Sequence, residues 1–374
     1  MNFDSSGLRA IDPTTTPRGQ YNANTDIIRA GQRGSVEPRL SYPFQVGRYL
    51  DFLPSVSYNE TNYQFGLGDQ PSAYRRYFRD TLSTRTQFSH IFGDTDDIEA
   101  VRYKHEVEPE VVYTNLPWYE QNNHPFFAAS DQFYRRDQVL TNYDIPQFDY
   151  EDRLYDRQLA TFILSNYLIR RTYNGESGNY SQLALFRLSQ SFDFYEDSRP
   201  LKTFETREPW SDIDALLDLR LGWLDTNTVA KYYPYENVTS ISSRIKAKNS
   251  RLDYIQMIYS QDFQILRAGI LTAANAPNPQ TQILNPTQNL DMQAGKKFKY
   301  FWLSGGITYD VVSRTWTQYQ YAIDILPPGD CWSVSLGQVV PISNGGGEPT
   351  FQFAFNLNYG AGQKNNLLQH HVAI

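Results

Sequence analysis

Chemistry requires groups that transfer protons, attack as nucleophiles or hold metals, so histidines, cysteine and clustered acids are placed first. The five histidines, His90, His105, His124, His370 and His371, have no spacing that would set two of them around one zinc ion. His370 and His371 adjoin each other near the carboxyl end, where a polar tail is the plainer reading. Cys331 is the only cysteine and has no companion ligand nearby, so neither a zinc site nor a disulfide within this chain is indicated. Asp94, Asp96, Asp97 and Glu99 form an acidic run that could hold a cation or protonate a sugar, yet the same run reads first as a solvated loop. His105 with a serine could imitate an outer-membrane hydrolase, but no third group orients the pair. Gly345, Gly346 and Gly347 make a flexible turn, not a phosphate-binding loop. The expectation is therefore no enzyme, no metal and no cofactor.

The polar residues that remain are arranged by period. Phe351, Phe353, Phe355, Leu357 and Tyr359 alternate with Gln352, Ala354, Asn356 and Asn358. Ile213, Ala215, Leu217, Leu219, Leu221 and Trp223 alternate with Asp214, Asp218, Arg220 and Gly222. Ala184, Phe186, Leu188, Phe192 and Phe194 oppose Arg187, Ser189, Ser191 and Asp193, and Tyr319, Tyr321, Ile323 and Ile325 oppose Gln318, Gln320, Ala322 and Asp324. Upstream, Tyr103, His105, Val107, Pro109, Val111 and Tyr113 oppose Arg102, Lys104, Glu106, Glu108 and Glu110. Val36, Pro38, Leu40, Tyr42 and Phe44 do likewise, followed by Phe52, Pro54, Val56 and Tyr58. Period two is the signature of strands with one apolar and one polar face. With weaker runs over 84–92, 159–169, 241–248, 252–259, 263–271 and 301–309, the expectation is about 14 strands.

The 28 Tyr, 22 Phe and 6 Trp beside 3 Met and 1 Cys disfavour a helical bundle or a disulfide framework. A net charge of −7 argues against nucleic acid as a partner. Mean hydropathy is −0.57, and no run approaches the roughly 20 apolar residues of a membrane helix. Membrane barrels escape that test because their strands alternate between lipid and lumen. Many runs have the roughly 9 to 11 residues of a tilted membrane strand. Tyr42, Tyr58, Tyr103, Tyr113, Trp223, Tyr309 and Tyr359 cap the apolar faces as an interfacial aromatic girdle does. A soluble all-β protein with a wet outer face would show similar alternation, so both readings stand at this point. Residues 117–149 and 273–295 are expected to be long polar loops.

The order of local motifs resembles the carboxyl-terminal barrel of the LptD family, the lipopolysaccharide-assembly or organic solvent tolerance proteins. The matching pieces are Glu108-Pro109 through Tyr113 with Leu116-Pro117-Trp118, then Asp152-Arg153-Leu154-Tyr155-Asp156-Arg157-Gln158-Leu159. Leu185 to Phe192, Pro209-Trp210-Ser211-Asp212, Asp330-Cys331-Trp332 and the terminal Phe351 to Gly360 continue the series. The resemblance covers residues 34 to 362. It implies an antiparallel transmembrane β-barrel portion over 34–362, flanked by a polar segment 1–33 and a tail 363–374, in the bacterial outer membrane.

It also implies passage of lipopolysaccharide, sugars through the lumen and acyl chains through a lateral seam. Partners would be a lipoprotein plug of the LptE type and, through a preceding periplasmic domain, the transport bridge. Gln318, Gln320, Asp324, Gln352, Asn356 and Asn358 would offer hydrogen bonds to sugars, and Arg102, Lys104, Arg187 and Arg220 would meet phosphates. The same residues read as ordinary wet lumen lining. The seam strand would be Phe351, Phe353, Phe355, Leu357 and Tyr359. Family barrels carry adjacent late cysteines, whereas Cys331 follows Asp330, so any disulfide would reach a segment outside this chain. Met1 to Arg18 holds acids and prolines where an export leader would be basic and then apolar, which leaves a cytoplasmic protein or the later part of a longer chain; the resemblance implies the latter. A general porin and a soluble carbohydrate-binding protein are the alternatives.

Overall fold

The computed structural model describes residues 2–4, 30–65, 72–94, 97, 99–117, 157–173, 175, 177–198, 200, 207–263, 265–266, 282–283, 286–325, 332–342 and 348–357. In chain order the strands begin β1 (Asn2–Asp4), β2 (Ala30–Val36), β3 (Arg39–Ser41), β4 (Phe44–Val46), β5 (Leu50–Phe65), β6 (Ser72–Thr86), β7 (Phe88–Phe92) and β8 (Arg102–Leu116). There follow β9 (Arg157–Tyr173), β10 (Gly178–Asp193), the single-turn helix α1 (Phe194–Ser198), β11 (Ile213–Arg220), β12 (Leu224–Tyr233), β13 (Val238–Lys248) and β14 (Tyr254–Asp262). The last are β15 (Ile265–Leu266), β16 (Gln282–Ile283), β17 (Thr287–Lys297), β18 (Phe301–Asp310), β19 (Thr315–Ile325), β20 (Trp332–Pro341) and β21 (Thr350–Leu357).

Nineteen of these strands form one sheet, and β15 and β16 pair with each other. The sheet is an antiparallel meander: β8 to β14 each pair with the next, β14 pairs with β17, and the sequence then runs unbroken to β21. β2, β3 and β4 all line the same edge of β5, so they are one stave interrupted at Pro38 and Pro43, where proline withholds a ladder donor. β6 and β7 likewise share the edge of β8. Counted as staves, the sheet holds few more than the 14 expected. Among the described residues no ladder joins β21 back to β1–β4, so the sheet is open there.

A flat single sheet would expose both faces equally. Here the polar face is the enclosed one: Ser57, Thr61, Ser165, Ser191, Gln256 and Ser333 are buried. The apolar face lies bare, with Phe353 71% and Ile255 70% exposed. The wall therefore curves with its polar face inside, the inverse of a soluble protein and the arrangement that lipid requires. Where the register bulges, at Gln182/Ala184, alternation resumes on the other side.

Residues 287–295, expected to close a loop, are instead strand β17, whose outward positions include only Leu290, Met292 and Ala294 as apolar residues. Of the run 263–271, Phe263 and the two-residue β15 lie among the described residues. The connections 117–156, 194–212 and 263–286 leave from one rim. The opposite rim carries tight turns, where Gly47, Gly175 and Gly222 take φ of 65°, 92° and 84°, the left-handed region open to glycine. Short turns on one side and long loops on the other place the tight-turn rim at the periplasm. Tyr42, Tyr103 and Trp223 stand exposed near that rim, as a girdle would.

Phe186→Arg, at the middle of outward-facing β10, is expected to cost about 2–4 kcal/mol of stability in phospholipid vesicles. Arg187→Gln, one residue on, should change it by less than about 1 kcal/mol. Denaturant titration of the refolded protein, followed by tryptophan fluorescence, distinguishes the two.

Candidate functional site: the polar inner wall

Antiparallel register converts alternate residues into rows that cross the wall. One row runs Arg220, Asp225, Lys246, Gln256, Gln293, Gly306 and Gln320, each opposite the next from β11 to β19. The neighbouring row carries Asp218, Asn227, Arg244, Ile258, Asp291, Thr308 and Gln318. Within them the Gln256 amide donates to Gln293 at 3.3 Å, Thr308 donates to Asp291, and the Gln318 amide donates to Thr308 at 3.2 Å. Ser335 donates to Asp324. Gly306 keeps the rows close: a Cβ there would stand 2.8 Å from Gln293 Cγ.

The four cations expected to meet phosphate differ in occupation. Arg102 donates to the carbonyls of Asp94 and Asp97, both at 2.9 Å, and so holds the 93–101 turn. Lys104 pairs with Glu106 on its own strand. Arg220 pairs with Asp218 at 2.7 Å through an exposed guanidinium, a contact worth about 1 kcal/mol or less. Arg187 is exposed on the inner face, and among the described residues it has no carboxylate partner. Gln318, Gln320 and Asp324 come together on β19, while Gln352 lies two strands away on β21. Asn356 is opposite Ser333 in register. Cys331, Asn358 and Tyr359 lie outside the described residues. Phe351, Phe353 and Phe355 all face outward on β21.

Two inner-wall features escaped the sequence reading. On β5 and β6 the guanidinium of Arg75, 2% exposed, lies 6.0 Å from the Tyr63 ring and 5.9 Å from the Tyr77 ring. Here Ser35 and Thr61 share a hydrogen bond of 2.7 Å, Arg79 pairs with Glu37 at 3.2 Å, and Ser83 donates to Glu110 at 2.6 Å. The only sequence hint is Arg75, Tyr77, Arg79 and Thr81 at period two.

The second feature is at the long-loop rim. There the Pro209-Trp210-Ser211-Asp212 segment docks on the end of β10: Asp193 N–H donates to the Pro209 carbonyl and Ser211 N–H to that of Ser191, both at 2.8 Å. The Trp210 ring packs 4.8 Å from Phe192, and the Trp210 backbone N–H donates to the Tyr235 hydroxyl of the next turn at 2.8 Å. Docking removes Asp212 from water, with Asp214 beside it and Lys231 at 3.4 Å. Burial, followed by the charge of Asp214, pushes the Asp212 carboxyl up to about 7, and Lys231 opposes that rise. Among the described residues no three His, Cys, Asp or Glu side chains converge as a metal site would need.

A one-layer antiparallel sheet with a bare apolar exterior, a hydrogen-bonded polar interior and one rim of tight turns is the wall of an outer-membrane β-barrel. The chain belongs to the LptD family: a family model described as LPS transport system D matches residues 7–325. It is an outer-membrane protein, as its family is. A curated relative, the LPS-assembly protein LptD of Methylococcus capsulatus (strain ATCC 33009 / NCIMB 11132 / Bath), is 27% identical over 163 residues. That match covers 41% of this chain and 15% of the relative. Among solved structures, the P. aeruginosa protein FpvA bound to heterologous pyoverdines is 10% identical, covering 92% of this chain and 51% of that one, at a TM-score of 0.27. At that score the likeness says nothing of fold or function.

The raised Asp212 sets a pH prediction. The folded state holds this proton to about pH 7 and the unfolded chain releases it near 4, so Asp212 lowers stability as pH rises between those values. Asp212→Asn abolishes that slope. Heat-modifiable migration on gels from pH 4 to 8 should show the variant gaining on the parent toward pH 7 and holding a constant difference above it.

Proposed function

We propose that this chain forms part of the wall of a lipopolysaccharide-assembly barrel. The sugar portion would move along the polar rows of the inner face, while the acyl chains would leave sideways at the edge of β21. The observation that carries this reading is the pairing of family membership with an inner wall of amides and hydroxyls, groups that exchange hydrogen bonds with sugar hydroxyls as readily as with water. Arg187, lacking a carboxylate partner among the described residues, would meet phosphate, and Gln318, Gln320, Asp324, Gln352 and Asn356 would offer successive sugar contacts. Arg102, Lys104 and Arg220 would contribute only by exchanging their present partners. Residues 34–362 act as the barrel portion and 363–374 as a tail, with β1 and the first residues of β2 adding to its first edge from within 1–33.

The seam follows from the edge. β21 pairs with β20 on one side, and among the described residues its other side carries no ladder. Its outward phenylalanines would present an acyl chain with an apolar path into the bilayer. A lipoprotein plug inside the barrel and a bridge reached through a periplasmic domain complete the proposed assembly.

A photo-crosslinking amino acid at Arg187, Gln320 or Gln352 should yield lipopolysaccharide adducts in living cells, and one at outward-facing Leu217 should not. Absence of adducts at all three inner positions, together with ion conductance in planar bilayers, would instead identify a general porin.

A further inference from the structure

Among the described residues the outward face dips between β14 and β19. Ala247, Ile255, Ala294, Gly305 and Tyr321 stand opposite one another in a single row across β13 to β19. Two adjacent central positions, Ala294 and Gly305, are small, and a groove of about 800 Å³ opens over them. Ile255, Leu303 and Tyr321 wall it, and their exposures of 70%, 49% and 50% show that no other described residue covers it. In the membrane such a trough holds a hydrocarbon chain or stays empty at the cost of lost dispersion contacts.

The groove ends at the tight-turn rim, among Lys248, Asn249, Asp253 and Lys296. That end is basic in a chain whose net charge is −7: Arg251, Lys296, Lys297 and Lys299 lie on two adjacent turns and the strand ends beside them. Lys248 is held by Asp225 at 2.7 Å. The Asp253 carboxylate accepts from the Asn249 amide at 3.0 Å and from the Lys297 N–H at 2.9 Å, and these bonds hold its pKa below the usual carboxylate range. Lys296 and Lys299 stand over the Phe298 and Tyr300 rings, at 5.5 and 5.0 Å; neither forms an ion pair among the described residues, although the Lys296 charge also helps to hold the Asp253 carboxyl low. Lysines beside exposed rings at a barrel rim sit at headgroup depth.

We propose that this groove is a binding site for a glycerophospholipid of the periplasmic leaflet, one acyl chain lying over Ala294 and Gly305 and the phosphate against Lys296 and Lys299. The choice of occupant rests on charge complementarity and on the tight-turn rim facing the periplasm, the leaflet built of phospholipid. It requires only that the chain be an outer-membrane barrel, and holds whether or not lipopolysaccharide crosses the lumen.

The site can be filled without strain, because a Cβ at Gly305 meets nothing nearer than the Gln320 carbonyl oxygen at 3.6 Å. The test is native mass spectrometry of the full chain, extracted from outer membranes in mild detergent and incubated with phosphatidylglycerol, with heat-modifiable migration reporting folding. The parent should retain phosphatidylglycerol through delipidating washes. Gly305→Leu should reduce retention at least fivefold by occupying the trough, and Lys296→Glu with Lys299→Glu by about fivefold for each lysine. A parent that retains no phospholipid, or folded variants that retain it at the parent level, would overturn the proposal. So would retention of lipopolysaccharide that these substitutions displace. If one variant fails to fold, the other and the parent still decide.

Discussion

In hydrocarbon a peptide group finds no water, so each N–H and C=O inside the bilayer must be bonded to another strand. That requirement explains why the molecule is one long meander and not two packed layers. The ladder from β5 to β21 passes each strand to the next without a gap in pairing. At the edge of β5, which carries Pro54, the stave of β2, β3 and β4 is interrupted at Pro38 and Pro43. Even there the backbone is partly rescued, with Tyr42 N–H donating to the Pro54 carbonyl and Tyr58 N–H to that of Pro38, both at 3.1 Å. Pro38 and Pro43 thus fall at the outer stave, where a missing ladder donor interrupts the fewest bonds.

Once the ladder is fixed, alternation distributes the side chains, and curvature gives the two faces different solvents. The outer face competes for lipid contact and is bare. The inner face is crowded with groups that must bond to one another, so its charges are largely neutralised in place. Arg102 holds a turn, Lys104 and Arg220 pair along their own strands, and Lys231 lies between two aspartates. Amides and hydroxyls do most of the cross-strand bonding. A wall so arranged can exchange hydrogen bonds with a passing polar molecule without leaving a buried charge exposed.

Strands with strong contrast between faces were legible in sequence: β8, β10, β11, β19 and β21 fall where alternation places them, with the apolar residues outward. β12 and β17 were not. The outward positions of β12 include Thr226, Thr228 and Ala230, and those of β17 include Gln288, so the period is present but its amplitude is small. Thr228 resolves its own polarity by sharing a 2.8 Å hydrogen bond with Ser243 across the strand, a contact invisible in a single strand's pattern. For Arg187, Arg220, Gln318, Gln320 and Asp324 the face was legible, whereas their occupation was not.

Local sequence determined which side of each strand is greasy, because neighbouring residues on an extended chain must point to opposite faces whatever the strand packs beside. It also determined where turns occur and where proline breaks a ladder. Only the tertiary structure decided which arginines already have partners, that the Pro209 to Asp212 segment folds back to bury a carboxylate, and that Ala294 and Gly305 meet to leave a groove. These facts depend on register between strands far apart in the chain. A register of that kind is set by the whole ladder closing at once, and no single stretch of residues encodes it.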